Sequence, residues 1–207
     1  MITLEQLLDS RDRRVQHQSE LLSAFPGCSL ICLTVQLPGP VKRSPDSLVI
    51  GGAGLAALMG VFGSVLRHAQ VRDLETGYEA YLLVPLPALE VKKRCCKIED
   101  EHPLGRLMDI DVIAEISPRA CFTPPICNWR GPRLLGRDDI SVVIPSHPSV
   151  IPSGAKESPI SRSDIGLSPR RCLLCSREAR YCMRAHTHTT EELLAKIAKM
   201  VEEYTKS

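Results

Sequence analysis

The sequence predicts an α+β fold: a small mixed or antiparallel sheet covered by helices on one face, with a Cys/His-containing C-terminal segment and helix. Three observations carry this. Helical and strand patterns mix without the strict βαβ rhythm of a doubly wound sheet. Of 207 residues, 43% are hydrophobic and only 4% aromatic, enough for one aliphatic core. The patterning also divides the chain into an ordered core over 1–116, a proline-rich insertion or mobile loop over 117–159, and a segment over 160–207 that packs on the core.

Thr3 to Ala24 reads as an amphipathic helix, with Leu4, Leu7, Leu8, Val15 and Leu22 at helical spacing. Thr3 and Gln6 fit a capping box and Gly27 fits the stop. Its polar side carries Arg11, Asp12, Arg13 and Arg14, a run that by itself reads as a solvated face. Ser29 to Leu37 is rich in Ile, Val, Leu and Thr and reads as a strand ended by Pro38-Gly39-Pro40. Ser47 to Leu66 has no charged residue and is long enough to span a bilayer. It lacks a second span and an aromatic belt, so it reads instead as a helix buried on most sides, its glycines allowing close packing. Tyr78 to Val84 is a second strand. Pro87 suits the first turn of a third helix, which runs to about Glu101. After a turn at His102 to Arg106, Leu107 to Ile113 is a third strand.

Nine of the sixteen prolines fall between Ser117 and Pro169, where few periodic apolar runs survive. Thr189 or Thr190 then caps a last helix whose face holds Leu193, Leu194, Ile197, Met200, Val201 and Tyr204.

The net charge of +2 gives no hint of the basic patch of a large nucleic-acid binder, and neither nucleic acid nor membrane is expected as a partner. Residues 1–27 carry charges throughout and do not read as a secretory signal. The expected compartment is therefore the reducing cytoplasm, where the nine cysteines are thiols or metal ligands rather than disulfides.

Alternation on the Leu107–Ile113 strand turns Met108, Ile110 and Val112 toward a core and Asp109 and Asp111 together toward the other face, with Cα atoms roughly 7 Å apart. Two like charges this close repel, and a divalent cation such as Mg²⁺ relieves the repulsion while meeting phosphate oxygens. Gly105 adds a flexible backbone and Arg106 a phosphate-binding fork just upstream. A turn followed by D-x-D on a strand is the arrangement of nucleotidyltransferase-type enzymes, although two solvent-facing acids on a polar sheet face give the same pattern.

Cys172-x-x-Cys175, Cys182 and one of His186 or His188 can supply a tetrahedral Cys₃His site suited to structural Zn²⁺. Buried thiols, or a thiol nucleophile at Cys172 or Cys175, are the other readings of the same residues.

Taken together, the string His102-Pro103-Leu104-Gly105-Arg106-Leu107-Met108-Asp109-Ile110-Asp111-Val112 and the later Pro169-Arg170-Arg171-Cys172-Leu173-Leu174-Cys175 resemble the citrate lyase holo-[acyl-carrier-protein] synthases. Ser10-Arg11-Asp12-x-Arg14, Pro38-Gly39-Pro40-x-Lys42 and Cys182-x-Arg184-x-x-x-His188 resemble the same family, in which His188 takes the histidine position. The resemblance implies transfer of a phosphoribosyl-dephospho-CoA group from 2′-(5″-triphosphoribosyl)-3′-dephospho-CoA to a serine of the apo acyl carrier subunit of citrate lyase, with release of diphosphate. On that basis Asp109 and Asp111 are expected to hold Mg²⁺ on the triphosphate. Arg106, Lys42, Arg11, Arg14 and Gly105 are expected around the donor. His102 is expected to orient or deprotonate the serine, or to serve only as a turn residue. The chain departs from the family pattern by roughly forty extra residues at about Ser117 to Ser158. Two other functions fit: a non-catalytic, zinc-stabilised module that binds a nucleotide or protein, and the equivalent transferase acting on the malonate decarboxylase carrier.

Overall fold

Helix α1, Leu4–Ala24, starts where the side chains and backbone amides of Thr3 and Gln6 satisfy one another reciprocally. It ends at Phe25, and Gly27 takes the positive φ that the following turn requires. Strand β1, Ser29–Val35, follows. Helix α2, Pro45–Phe62, opens on a second reciprocal cap between Ser44 and Ser47. Then come the hairpin strands β2, His68–Leu74, and β3, Gly77–Val84. Helix α3, Ala88–Glu101, leads through a 3₁₀ turn at Gly105–Leu107 into β4, Met108–Ala114. The C-terminal segment adds the short α4, Ala179–Arg184, and α5, Thr190–Lys206. These elements come from a computed structural model that describes residues 2–35, 37–114 and 159–206. The insertion expected at 117–159 lies outside the described residues up to 158.

The sheet has four strands in the order β2-β3-β1-β4 and is antiparallel throughout. It is covered on both faces, which corrects the expectation of helices on one. Ile31, Leu33, Leu82, Ile110 and Val112 form one core with residues of α2, α3 and α5. Leu30, Cys32, Tyr81, Leu83 and Ile113 form a second core with Leu21 and Leu22 of α1. The reason is legible in β1 and β3, whose apolar residues run continuously instead of alternating, as strands buried on both faces require.

Helix α2 is also less enclosed than its composition suggests. It is long and apolar enough to cross a membrane, yet about 33% of that stretch is buried. Gly51 lies against the Tyr78 ring, where a Cβ would sit 2.4 Å from the nearest ring carbon, and Gly54 lies against Leu33 and Met108. Gly52 and Gly60 have nothing within 4 Å of a built Cβ, and Leu48, Met59 and Val61 are exposed. The helix therefore seats one glycine face on the sheet and leaves the other open.

Strand β4 lies at the sheet edge, where unpaired backbone groups need cover. The Ile110 amide donates to Glu99 Oε1 at 2.9 Å, and Lys92 Nζ donates to the Ile110 carbonyl at 2.7 Å. Arg170 Nη1 donates to the Met108 carbonyl at 3.1 Å, and the Ile160 amide to the Val112 carbonyl at 2.9 Å. Side chains of α3 and the chain after residue 159 thus replace a fifth strand.

Candidate active site

Register sets the acids in two rows that cross the sheet beneath α1. Arg72, Glu79, Thr34 and Asp109 form one row, and Gln70, Tyr81, Cys32 and Asp111 form the next. Asp109 and Asp111 are both half-buried. Burial, and then the charge of Asp109, raise the Asp111 carboxyl above the usual aspartate range, with Lys92, Arg170 and Arg14 pulling the other way. On the same face, a cavity of about 390 Å³ between α1 and the β2–β3 hairpin is lined by Gln6, Ser10, Arg13, Arg72, Thr76 and Glu79.

Arg14 reaches this face from α1, donating from Nε to Glu79 Oε1 at 2.9 Å, and Tyr81 Oη donates to the other Glu79 oxygen at 2.6 Å. Arg11 is exposed on α1. Lys42 donates from Nζ to the Leu37 carbonyl at 2.5 Å, and burial lowers its pKa. Arg106 is half-buried and makes no hydrogen bond or ion pair among the described residues. Burial, and then Arg170, disfavour its charge. Gly105 answers a packing need, since a Cβ there would lie 2.5 Å from the Glu99 carbonyl. His102 caps α3 and accepts the Leu104 amide on Nδ1 at 3.0 Å, a bond that suits the turn and leaves Nε2 protonated in the neutral ring. Burial lowers the His102 pKa, and its ring centroid lies 5.4 Å from that of Tyr204.

Sequence reasoning overlooked Lys92, Glu99 and Arg162, and met Arg170 only within the string Pro169 to Cys175 that carries the family resemblance. Glu99 is buried against the Ile110 amide, Arg162 and Arg170, and Arg170 also lies 3.3 Å from Asp109. A signal existed. Lys92 and Glu99 occupy the same stripe of α3 as the buried Val91, Cys95 and Ile98, and a charge in an apolar stripe asks for a partner.

The cysteine motif closes into a cluster. Ligand atoms of Cys172, Cys175, Cys182 and His188 all lie within 4.8 Å of one another. Cys175 Sγ is 3.5 Å from Cys182 Sγ and 3.4 Å from His188 Nε2. Zn–S bonds of about 2.3 Å at tetrahedral angles separate sulfurs by about 3.7 Å, so the spacing fits a metal. His186 adopts a positive φ of 47°, a reversal that carries His188 rather than itself into the cluster. Burial opposes a thiolate at Cys172, but hydrogen bonds from the Leu174 and Cys175 amides and from the Cys182 and Cys175 side chains together lower that pKa. Burial and hydrogen bonds to its cysteine neighbours push Cys182 up to about 11. Three thiolates cannot share this space without a cation, and soft sulfur donors with one imidazole are the set that zinc prefers.

The family model described as apo-citrate lyase phosphoribosyl-dephospho-CoA transferase matches residues 2–122 and 150–204. The match breaks across 123–149, inside the stretch where extra residues are expected. A Vibrio cholerae protein named "Probable apo-citrate lyase phosphoribosyl-dephospho-CoA transferase" is 33% identical over 207 residues, covering 98% of this chain and 93% of its own. A Streptococcus pyogenes protein of the same name is 30% identical over 204 residues, covering 98% and 87%. A Haemophilus influenzae protein named "Protein CitXG" is 29% identical over 206 residues, which cover 98% of this chain but 36% of that protein.

Proposed function

The chain belongs to the apo-citrate lyase phosphoribosyl-dephospho-CoA transferase family, and from that premise we propose that it performs a nucleotidyltransferase-type reaction on a carrier protein. A serine hydroxyl of the apo acyl carrier subunit of citrate lyase attacks the phosphorus next to the ribose of 2′-(5″-triphosphoribosyl)-3′-dephospho-CoA. The new bond joins serine oxygen to phosphorus, the bond to the diphosphate breaks, and the serine proton is released. The products are a phosphodiester on the carrier and free diphosphate.

The observation that carries this reading is the placement of Asp109 and Asp111 in adjacent rows on one sheet face, with the Asp111 charge resisted by burial and by its neighbour. Hard carboxylate oxygens that repel one another suit Mg²⁺, and the two aspartates would hold it. Such an ion, when bound, offsets negative charge on the phosphates. Arg106, half-buried and without an ionic partner among the described residues, is set to bind a phosphate oxygen. Arg14 crosses to the same face but is shared with Glu79, so its part is to shape the floor of the site. Lys42, Arg11 and Gly105 are assigned to the donor's surroundings on the family pattern. His102 donates from Nε2 to orient the incoming hydroxyl. Positioning and electrostatics supply the rate, as in phosphoryl transfer generally. The Cys/His cluster would hold a structural Zn²⁺ through Cys172, Cys175, Cys182 and His188. The site of action is the cytoplasm.

The test is to incubate the protein with donor, Mg²⁺ and the apo carrier, then weigh the carrier intact. A mass gain equal to the phosphoribosyl-dephospho-CoA group, matched by diphosphate release, is expected for the citrate lyase carrier. Labelling of the malonate decarboxylase carrier alone would move the substrate assignment, and no labelling of either would leave a binding module.

A further inference from the structure

We propose that Arg170 is a positioning residue through which the Cys/His cluster sets the geometry of the β4 acids, so that metal occupancy at one site controls the other. The inference rests on the reading of Asp109 and Asp111 as the acids that face the donor.

Arg170 reaches three acceptors at once. It is hydrogen-bonded to Glu99, donates to the Met108 carbonyl at 3.1 Å, and lies 3.3 Å from Asp109. Glu99 is 2% exposed and is itself the acceptor for the Ile110 amide at 2.9 Å. The guanidinium therefore fixes α3 to β4 at the two residues that flank Asp109 in the chain. A planar fork holding several oxygens has one orientation, and a lysine ammonium has many.

The backbone that presents Arg170 belongs to the cluster. The Ala179 amide donates to the Arg170 carbonyl at 2.9 Å, and the Cys172 amide to the Arg177 carbonyl at 2.7 Å. Between them Arg171 and Glu178 form a single bridge. This small hairpin carries Cys172 and Cys175, while Cys182 and His188 close on it from the chain beyond. So short a ribbon is not stable by itself. A metal that ties its tip to α4 and to the start of α5 keeps it folded, and with it the Arg170 fork.

The test is residue-resolved amide hydrogen exchange on the full chain, without donor or carrier. Four samples are compared: zinc-loaded protein, protein stripped by a chelator, zinc-loaded Arg170→Lys, and the same variant stripped. Stripping is expected to speed exchange at the Ile110 amide at least tenfold while the central β1 amides change less than twofold. Arg170→Lys, loaded with zinc, is expected to reproduce the Ile110 change, and stripping that variant should add nothing further. Unchanged exchange at Ile110 on stripping would overturn the proposal. So would an equal rise across the whole sheet, or stripping and substitution effects that multiply. No transfer chemistry enters this readout, so it stands or falls apart from the carboxylate reading, which Asp111→Asn tests by activity.

Discussion

At the scale of single residues, Asp111 decides most. Its carboxyl is raised because burial and Asp109 disfavour the charge. The folded chain therefore protonates Asp111 more readily than the unfolded chain does. An ionised Asp111 opposes folding, and the opposition disappears once pH falls below the ordinary aspartate range. Asp111→Asn is thus expected to have a Tm at pH 7 equal to or above that of the parent, with the gap closing in acid; thermal unfolding across pH measures it. A Tm clearly below the parent at pH 7 would mean the carboxylate is a structural partner. The same shift predicts that the acid limb of transfer activity lies above the unperturbed value of 3.8, and moves down as Mg²⁺ is raised. The alternation of Leu107–Ile113 made these acids visible in the sequence. The stripe of α3 marked Glu99 and Lys92 as inward charges, but it could not name their partners on β4 and beyond residue 159.

At the scale of elements, the glycines of α2 separate packing from propensity. Gly51→Ala puts a methyl into the Tyr78 ring and is expected to cost about 2 kcal/mol or more. Gly52→Ala meets open space and is expected to stabilise by about 0.5–1 kcal/mol through helix propensity. Denaturant unfolding of the two variants should shift in opposite directions. The helices α1 and α5 were legible because caps and periodicity agree in each, and α3 because Pro87 marks its start. Strand β2 was not, because His-Ala-Gln-Val-Arg-Asp-Leu has weak apolar content and owes its state to pairing with β3. The covering of both sheet faces could have been read from the unbroken apolar runs of β1 and β3.

At the scale of the whole molecule, the chain after residue 159 is a fastening. Arg162 reaches Glu99 and Asp100 on α3, and Arg170 reaches both α3 and β4. Beyond them the Cys/His cluster closes the segment. Cys175→Ala is expected to lower bound zinc from about one ion per chain to near zero and to reduce Tm by several degrees. Metal analysis and calorimetry on the same sample check it, and unaltered zinc content would remove Cys175 from the ligand set. The cysteine spacing announced this cluster. Its connection to β4 did not show in sequence, because it depends on a long-range meeting of Arg170 with Glu99 that no local pattern records.

On the proposed reading, the two acids of β4 carry the transfer. Its most direct test is the rate at which Asp111→Asn labels the apo carrier under saturating donor and Mg²⁺, with folding verified by its unfolding curve. The variant is expected to fold and to be slower than the parent by about a thousandfold or more. A folded variant that labels the carrier at close to the parent rate would contradict it.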